Sequence, residues 1–260
     1  MRSEKELPGS VMPEAHLEEL DRLAGWYWWH VHRSETVLQL LRRFAPTQPP
    51  AQGYLDVGCG PGASTRYIAD SLLSSGHLRT GARVVGLDGD ARMEAACRRH
   101  EVEFRAADLE APRAEGLRDV GLFTSLDVLE HLRAPREALA GLRSSLAPGA
   151  VGVVTVPAFR SLWSPWDVAA GHRKRYEAEG LKTMLSESGF EVVWQSYLFS
   201  FAFLPAAVLR RRAPADKLEF PKVPPWLNTV LRALGGAERL WLALAPVPLW
   251  TSALAVVRSP

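Results

Sequence analysis

The residues of this chain best equipped for chemistry open with one short stretch, Tyr54-Leu55-Asp56-Val57-Gly58-Cys59-Gly60-Pro61-Gly62-Ala63. An apolar run ends in a carboxylate, three glycines alternate, and a helical pattern begins at Ser64. That order reads as a strand, a tight turn and a helix N-terminus. Glycine lets the backbone take φ > 0 and lets a ligand approach the main chain closely. The first amides of a helix are partly positive donors. The turn therefore suits a nucleotide-like ligand. Gly58-x-Gly60-x-x-Ala63 fits the dinucleotide fingerprint, which seats a diphosphate on the helix N-terminus. Asp56 argues the other way, because a carboxylate at the mouth of the strand repels a diphosphate and attracts an ammonium group. A further carboxylate, Asp88, ends the run Val84-Val85-Gly86-Leu87, where an acidic side chain can accept both hydroxyls of a ribose.

S-adenosylmethionine carries an α-ammonium and no phosphate. The Asp-x-Gly-x-Gly-x-Gly arrangement resembles motif I of the class I S-adenosylmethionine-dependent methyltransferases. The string Thr124-Ser125-Leu126-Asp127-Val128-Leu129-Glu130-His131-Leu132 is similar to the segment after strand four in small-molecule methyltransferases, including the ubiquinone-biosynthesis O-methyltransferases. With Asp88 and Asp108 in order, the resemblance covers roughly residues 50 to 160. It implies that Asp56, Gly58, Gly60, Gly62 and Asp88 hold the cofactor. It also implies that Asp108 accepts the adenine amine beside Leu109, and that Ser125 and Leu126 flank the methionine end. His131 would then lie near the acceptor, where a neutral imidazole suits removal of a hydroxyl proton. A role in ordering the loop stands open beside that one.

Two outer segments resemble the same group of bacterial enzymes. Trp28-Trp29-His30-Val31-His32-Arg33 matches part of a Trp-Trp-aromatic-x-x-Arg segment, with His30 in place of an aromatic residue and His32 in place of a small one. The implied role is a lid in which Trp29 covers the cofactor and Arg33 offers a fork to its carboxylate. After strand five come Trp163, Trp166 and Asp167, then Gly171-His172-Arg173-Lys174-Arg175-Tyr176, at a similar spacing. Ligands of such sheets sit beyond the carboxyl ends of the strands. Trp163, Trp166, Arg173 and Tyr176 are thus expected to wall the acceptor, with His172 as the better candidate base. For Arg173, Lys174 and Arg175 a solvated basic turn stands open beside the binding of an acidic acceptor group.

The elements that must position these groups read as follows. Pro13 to Ala24 and Ser34 to Phe44 are helical, and a proline-rich linker covers Ala45 to Gln52. Strands end near Val57 and span Ala82–Leu87, Val102–Ala106, Val120–Thr124 and Val151–Val156, alternating with helices over Ala63–Leu73, Ala91–Arg99 and Glu137–Leu146. Repeated βα units predict a doubly wound parallel sheet. A helix over Ala178–Ser188 and strands over Glu191–Tyr197 and Ser252–Arg258 follow. The resemblance then implies seven strands, mostly parallel, with the last antiparallel. The expected organisation is an N-terminal helical cap over 1–50, a cofactor-binding domain over 51–198 with 251–260, and an apolar helical insertion over 199–250. The insertion carries Phe199 to Pro205, Arg210-Arg211-Arg212 and a helix from Pro225 to Leu244.

At 260 residues the chain suits one α/β domain with additions, and 47% hydrophobic content is ordinary for a buried core. A formal charge of +2, without a broad basic stripe, disfavours nucleic acid. The two cysteines, Cys59 and Cys97, lack zinc-type partners and cannot form a disulfide framework, so no metal is expected and a reducing cytoplasm is the default. Met1 to Met12 reads as no signal peptide. Leu240 to Val257 is broken by Pro246 and Pro248 and reads as non-spanning. The triple Arg beside apolar helix leaves peripheral membrane contact open, along with a homodimer. The expected function is methyl transfer from S-adenosylmethionine to a small-molecule acceptor by in-line displacement, with O-methylation of a lipophilic or aromatic acceptor favoured. The rivals are an NAD(P)-dependent oxidoreductase, although no tyrosine has a lysine four residues on, and a non-catalytic cofactor-binding partner subunit.

Overall fold

A computed structural model describes residues 14–48, 51–112, 117–202, 220–247 and 251–260. The expectations for Met1 to Met12, Phe203-Leu204-Pro205, Arg210-Arg211-Arg212 and Trp250 lie outside these residues. The chain runs α1 (Glu14–Leu23), α2 (Trp28–Phe44), β1 (Ala51–Val57), α3 (Ala63–Ser74), β2 (Leu78–Asp88), α4 (Met93–Arg99), β3 (Glu103–Ala106) and β4 (Val120–Leu126). It continues through α5 (Pro135–Ser145), β5 (Val151–Pro157), α6 (Pro165–Ala169), α7 (Ala178–Glu187), β6 (Glu191–Leu198), α8 (Pro225–Leu244) and β7 (Ser252–Arg258).

The seven strands form one sheet in the order β3-β2-β1-β4-β5-β7-β6, with β7 antiparallel to both neighbours. The expected fold class is borne out. Register decides where chemistry gathers. Val57 lies beside Leu87 on one side and Ser125 on the other, Asp88 beside Ala106, and Leu126 beside Thr155. The carboxyl ends of β2, β1, β4 and β5 therefore open onto one rim, the place where ligands of doubly wound sheets bind.

Strand alternation splits the core in two. Tyr54, Val84, Leu122 and Val153 face Leu38, Leu41, Ile68 and Leu72, on the side of α2 and α3. Leu55, Val85, Phe123 and Val154 face Leu139, Leu142, Leu181 and Leu185, on the side of α5 and α7. A period of two sends consecutive side chains to opposite faces, so runs such as Val84-Val85 and Val153-Val154 serve both layers.

α2 starts at Trp28, six residues before the expected Ser34, because tertiary packing overrides weak local propensity there. Trp29 stacks on Phe199 with ring centroids 5.5 Å apart, and His30 packs against Tyr27, Trp29 and Phe220. His32 pairs with Glu238 of α8, whose carboxylate also accepts the Phe199 and Ser200 amides. Gly235 leaves room for this imidazole, since a Cβ there would come within 2.8 Å of His32. Burial alone would raise the Glu238 carboxyl, yet His32 and the Ser200 amide hold it below its ordinary value.

His30 does the packing work of an aromatic ring. It is buried, its Nε2 has no hydrogen-bond partner, and burial followed by the neighbouring Arg33 charge pulls its pKa down to about 3. The unfolded chain takes up this proton near 6.5 while the folded chain refuses it. Stability must therefore fall as pH drops from about 6.5 toward 3, by up to ~1.4 kcal/mol per unit from this one group. His30→Phe is expected to flatten that part of the urea-unfolding pH profile. An unchanged slope would remove His30 as its source.

Candidate functional site

The turn after β1 closes on itself. Gly58 N–H and Cys59 N–H donate to Leu87 O at 2.7 and 3.1 Å, Gly60 N–H to Asp88 Oδ2 at 2.9 Å, and Gly62 N–H to Cys59 O at 3.2 Å. These amides are spent on the loop, which leaves them no hand for a diphosphate. Gly58 (φ +74°) and Gly62 (φ +88°) are left-handed and crowded, for a Cβ would lie 2.3 Å from Val128 Cγ2 in the first case and 3.0 Å from Cys97 Sγ in the second. Gly60 (φ +52°) is different, since a Cβ there would stand in open space.

Asp56, at the end of β1, is buried, and its charge is already engaged. Thr65 Oγ1 donates to Oδ2 at 2.6 Å, and Thr124 Oγ1 to Oδ1 at 2.7 Å. Thr124 in turn accepts from Tyr54 Oη at 2.7 Å. Register places Thr124 directly beside Asp56, and the first turn of α3 brings Thr65 over it. Asp56 thus clamps β1, β4 and α3 together, which corrects the expectation that it stands open to a ligand. Burial first, and then the hydroxyl bonds that partly offset it, leave its pKa above the ordinary value.

Arg33 of α2 reaches the rim. Its guanidinium lies 4.4 Å from the Trp29 ring and donates to Asp127 Oδ2 at 2.6 Å. Asp127 follows β4 with φ +58°, an uncommon conformation for a side-chain-bearing residue, and also accepts Thr155 Oγ1 at 3.2 Å. Arg33, with Trp29 against its guanidinium, therefore reaches past the end of β4. The Ser125 hydroxyl is buried and, like Arg33 Nε, has no hydrogen-bond partner. Leu126 is buried in the α2 layer of the core. Asp88 is partly exposed and accepts Asp90 N–H as well as Gly60 N–H, which leaves lone pairs for a diol. Asp108 is exposed, folds an Asx turn by accepting Glu110 N–H, and precedes half-buried Leu109.

On the neighbouring rim, the segments after β4 and β5 meet. Asp167 caps α6 in a box with Ser164, accepts His172 Nδ1–H at 2.8 Å, and binds the buried Arg175 fork through both oxygens at 2.8 and 3.1 Å. Burial alone would raise the Asp167 carboxyl, but His172 and Arg175 hold it well below the usual range. His172 faces His131 with ring centroids 4.9 Å apart. Desolvation and then the His172 neighbour lower the His131 pKa to about 4. Arg173 donates its amide to Glu130 O and its Nε to His131 O, so it fastens this loop. Tyr176 is buried and donates to Leu129 O, which corrects its expected place against an acceptor. Trp163 is exposed, and Trp166 packs on Phe220.

The sequence reading left Asp127, Glu130 and Asp167 without roles, and Arg175, read there as part of a solvated basic turn, is corrected to a buried partner of Asp167. The spacing Ser164-Pro165-Trp166-Asp167 is a capping-box signal with proline at the first helical position, and it marks both α6 and Asp167. Glu130 is fully buried with neither carboxylate oxygen hydrogen-bonded, and burial, then Asp127, push its pKa well above the ordinary value.

A family model for the methyltransferase domain matches residues 28–195, well over half of the chain. The chain belongs to that family. It is a class I S-adenosylmethionine-dependent methyltransferase in fold and kinship, and the nicotinamide alternative falls. A ubiquinone biosynthesis O-methyltransferase of Xanthomonas axonopodis pv. citri is 28% identical over 148 residues, 52% of this chain and 58% of that protein. The chain thus spans under two thirds of that relative's length. The chain solved with the methyltransferase activator Trm112 of Haloferax volcanii superposes with a TM-score of 0.61 at 16% identity, covering 96% of this chain and all of that one. The N-methyltransferase NodS of Bradyrhizobium japonicum, solved with S-adenosylhomocysteine, gives 0.53 at 18% identity over 95% and 97%. At such identities the two structures speak for the fold. The residues present fit the methyltransferase cofactor: the open face of Gly60 and the free lone pairs of Asp88 lie beyond the ends of β1 and β2, Arg33 keeps a nitrogen unpartnered where it reaches Asp127 past β4, and Ser125 near the end of β4 has an unpartnered hydroxyl.

Proposed function

We propose that this methyltransferase transfers a methyl group to the oxygen of a small lipophilic acceptor. The observation that carries the reading is the rim beyond the ends of β1, β2 and β4, which carries the open Gly60 face, the Asp88 lone pairs and an unpartnered Arg33 nitrogen. When bound, S-adenosylmethionine supplies a methyl group made electrophilic by its sulfonium. The chain's own work is positioning. Asp88 is assigned to the ribose, Asp108 and Leu109 to the adenine, and Ser125 with Arg33 to the amino-acid end. The acceptor then enters between Trp163, Trp166 and the His131–His172 loop, where holding its oxygen in line contributes more than any single contact.

A lipophilic acceptor is supported by α8. Trp226, Val230, Leu234, Leu240, Trp241 and Leu244 are exposed along this helix, and its carboxylate Glu238 is turned inward. Among the described residues no helix is long and apolar enough to cross a membrane. The stripe therefore fits contact with a lipid surface or with a lipid-like molecule. The ubiquinone O-methyltransferase kinship points the same way.

Calorimetry tests the cofactor assignment. S-adenosylmethionine should bind and NAD(P) should not. Asp88→Ala should lower affinity at least ~10-fold, since a hydrogen bond to a charged group is worth ~1.5–3 kcal/mol. The same variant frees the Gly60 and Asp90 amides, so a loss of apo stability should accompany it. Retained affinity would refute the ribose role. Methyl transfer to phenols offered in vesicles, compared with soluble phenols, tests the acceptor class. Cofactor binding without turnover on any acceptor would favour the partner-subunit reading instead.

A further inference from the structure

Glu130, His131 and His172 each turn one potential ligand atom toward the others, and these atoms lie within 4.8 Å of one another. The chemistry of the cluster is lopsided. Asp167 accepts the Nδ1 proton of His172, which fixes the tautomer and leaves the Nε2 lone pair directed at Glu130 Oε1, 3.9 Å away. Glu130 is fully buried, and neither of its oxygens receives a hydrogen bond. Among the described residues no hydrogen-bond donor reaches the Glu130 oxygens, and the imidazoles of His131 and His172 stand beside them. A buried group of that kind is costly unless something positive satisfies it.

We propose that Glu130, His131 and His172 form a binding site for one first-row divalent transition-metal ion. Two imidazoles and one carboxylate suit zinc, cobalt or manganese better than magnesium, which prefers an all-oxygen shell. The Asp167–His172 contact is the second-shell carboxylate that metal-bound histidines characteristically carry, and Arg175 and the Ser164 cap hold that carboxylate still. The ligands come from the segments after β4 and β5, so the fold brings together residues more than forty positions apart in sequence. This assignment replaces the sequence expectation of a free histidine base: His131 and His172 act as ligands. With only three protein ligands, coordination positions remain for an oxygen from outside. The site stands independently of the acceptor proposed above.

The test uses tag-free, full-length protein stripped with EDTA and titrated calorimetrically with ZnCl2 and with CoCl2, the latter followed also by visible absorption. The expected result is saturation at one equivalent per chain and the appearance of cobalt d–d bands. Glu130→Gln and His172→Ala should each weaken binding at least ~100-fold, since even outer-shell losses cost ~10–100-fold. Glu130→Gln replaces a buried carboxyl that has no hydrogen-bond partner with a neutral group of the same shape, so the stripped variant should be about as stable as the stripped parent in urea, which separates loss of a ligand from loss of fold. The proposal is overturned if the stripped parent shows no saturable uptake, or if affinity is unchanged in both variants.

Discussion

Gly58→Ala lowers the stability of the apo chain by roughly 3 kcal/mol or more, whereas Gly60→Ala, two residues on, costs only about 1–2 kcal/mol. Both positions have positive φ, so both variants meet the left-handed penalty. They differ in what the new methyl group meets. At Gly58 it would come within 2.3 Å of Val128 Cγ2, in the segment after β4, and that segment cannot retreat without moving Asp127 and its Arg33 contact. At Gly60 it would enter open space, on the face assigned above to the cofactor under the proposed reading. Gly60→Ala is therefore the variant that loses cofactor affinity while remaining folded. Urea unfolding paired with calorimetry separates the two. Adding Val128→Ala to Gly58→Ala should recover the steric part and leave the backbone part. Equal destabilisation by the two alanines would show that the Val128 contact is immaterial.

Asp167→Ala should cost ~3–5 kcal/mol, the expected penalty for breaking a buried ion pair from one side. The side chains of Asp167 and Arg175 are 0% and 1% exposed, so truncation strands a guanidinium with only Ala158 O to accept from it. It also uncaps α6 and releases His172 Nδ1. The double variant Asp167→Ala/Arg175→Met removes the stranded charge and should regain much of the loss, because replacing a buried pair with apolar groups is often close to neutral. Denaturant unfolding of the single and double variants checks both statements. A single-variant cost under about 1 kcal/mol would mean that the Arg175 charge finds water, contrary to its burial.

Much of the scaffold was legible from the chain itself. The span Ser252–Arg258 for β7 and the span Pro225–Leu244 for α8 coincide with the reading from sequence. Strands buried on both faces show as continuous apolar runs, and proline at the first helical position announces α8. The start of α2 was not legible, because Trp28 to His32 are indifferent helix formers whose conformation is decided by Phe199, Asn228 and Glu238, far along the chain. The motif glycines, Asp88 and the two histidines were visible as types at a spacing. What they touch was not. That Asp56 is spent on Thr65 and Thr124 follows from strand register, which no single segment reveals. The meeting of His131 with His172, and the isolation of Glu130, likewise exist only once β4 and β5 lie side by side, whereas the pairing of Asp167 with His172 and Arg175 is made within one segment whose loop path no simple pattern announces.

The position of β7 sets an order on biosynthesis. It fills the slot between β5 and β6, and it alone joins β6 to the rest of the sheet. While the chain emerges from a ribosome, β6 must wait without a strand partner until residues 252–258 have been translated, and the long edge of β5 waits with it. The nascent protein therefore passes through a stage with unpaired strand edges on β5 and β6, the condition in which chains seek each other or a chaperone.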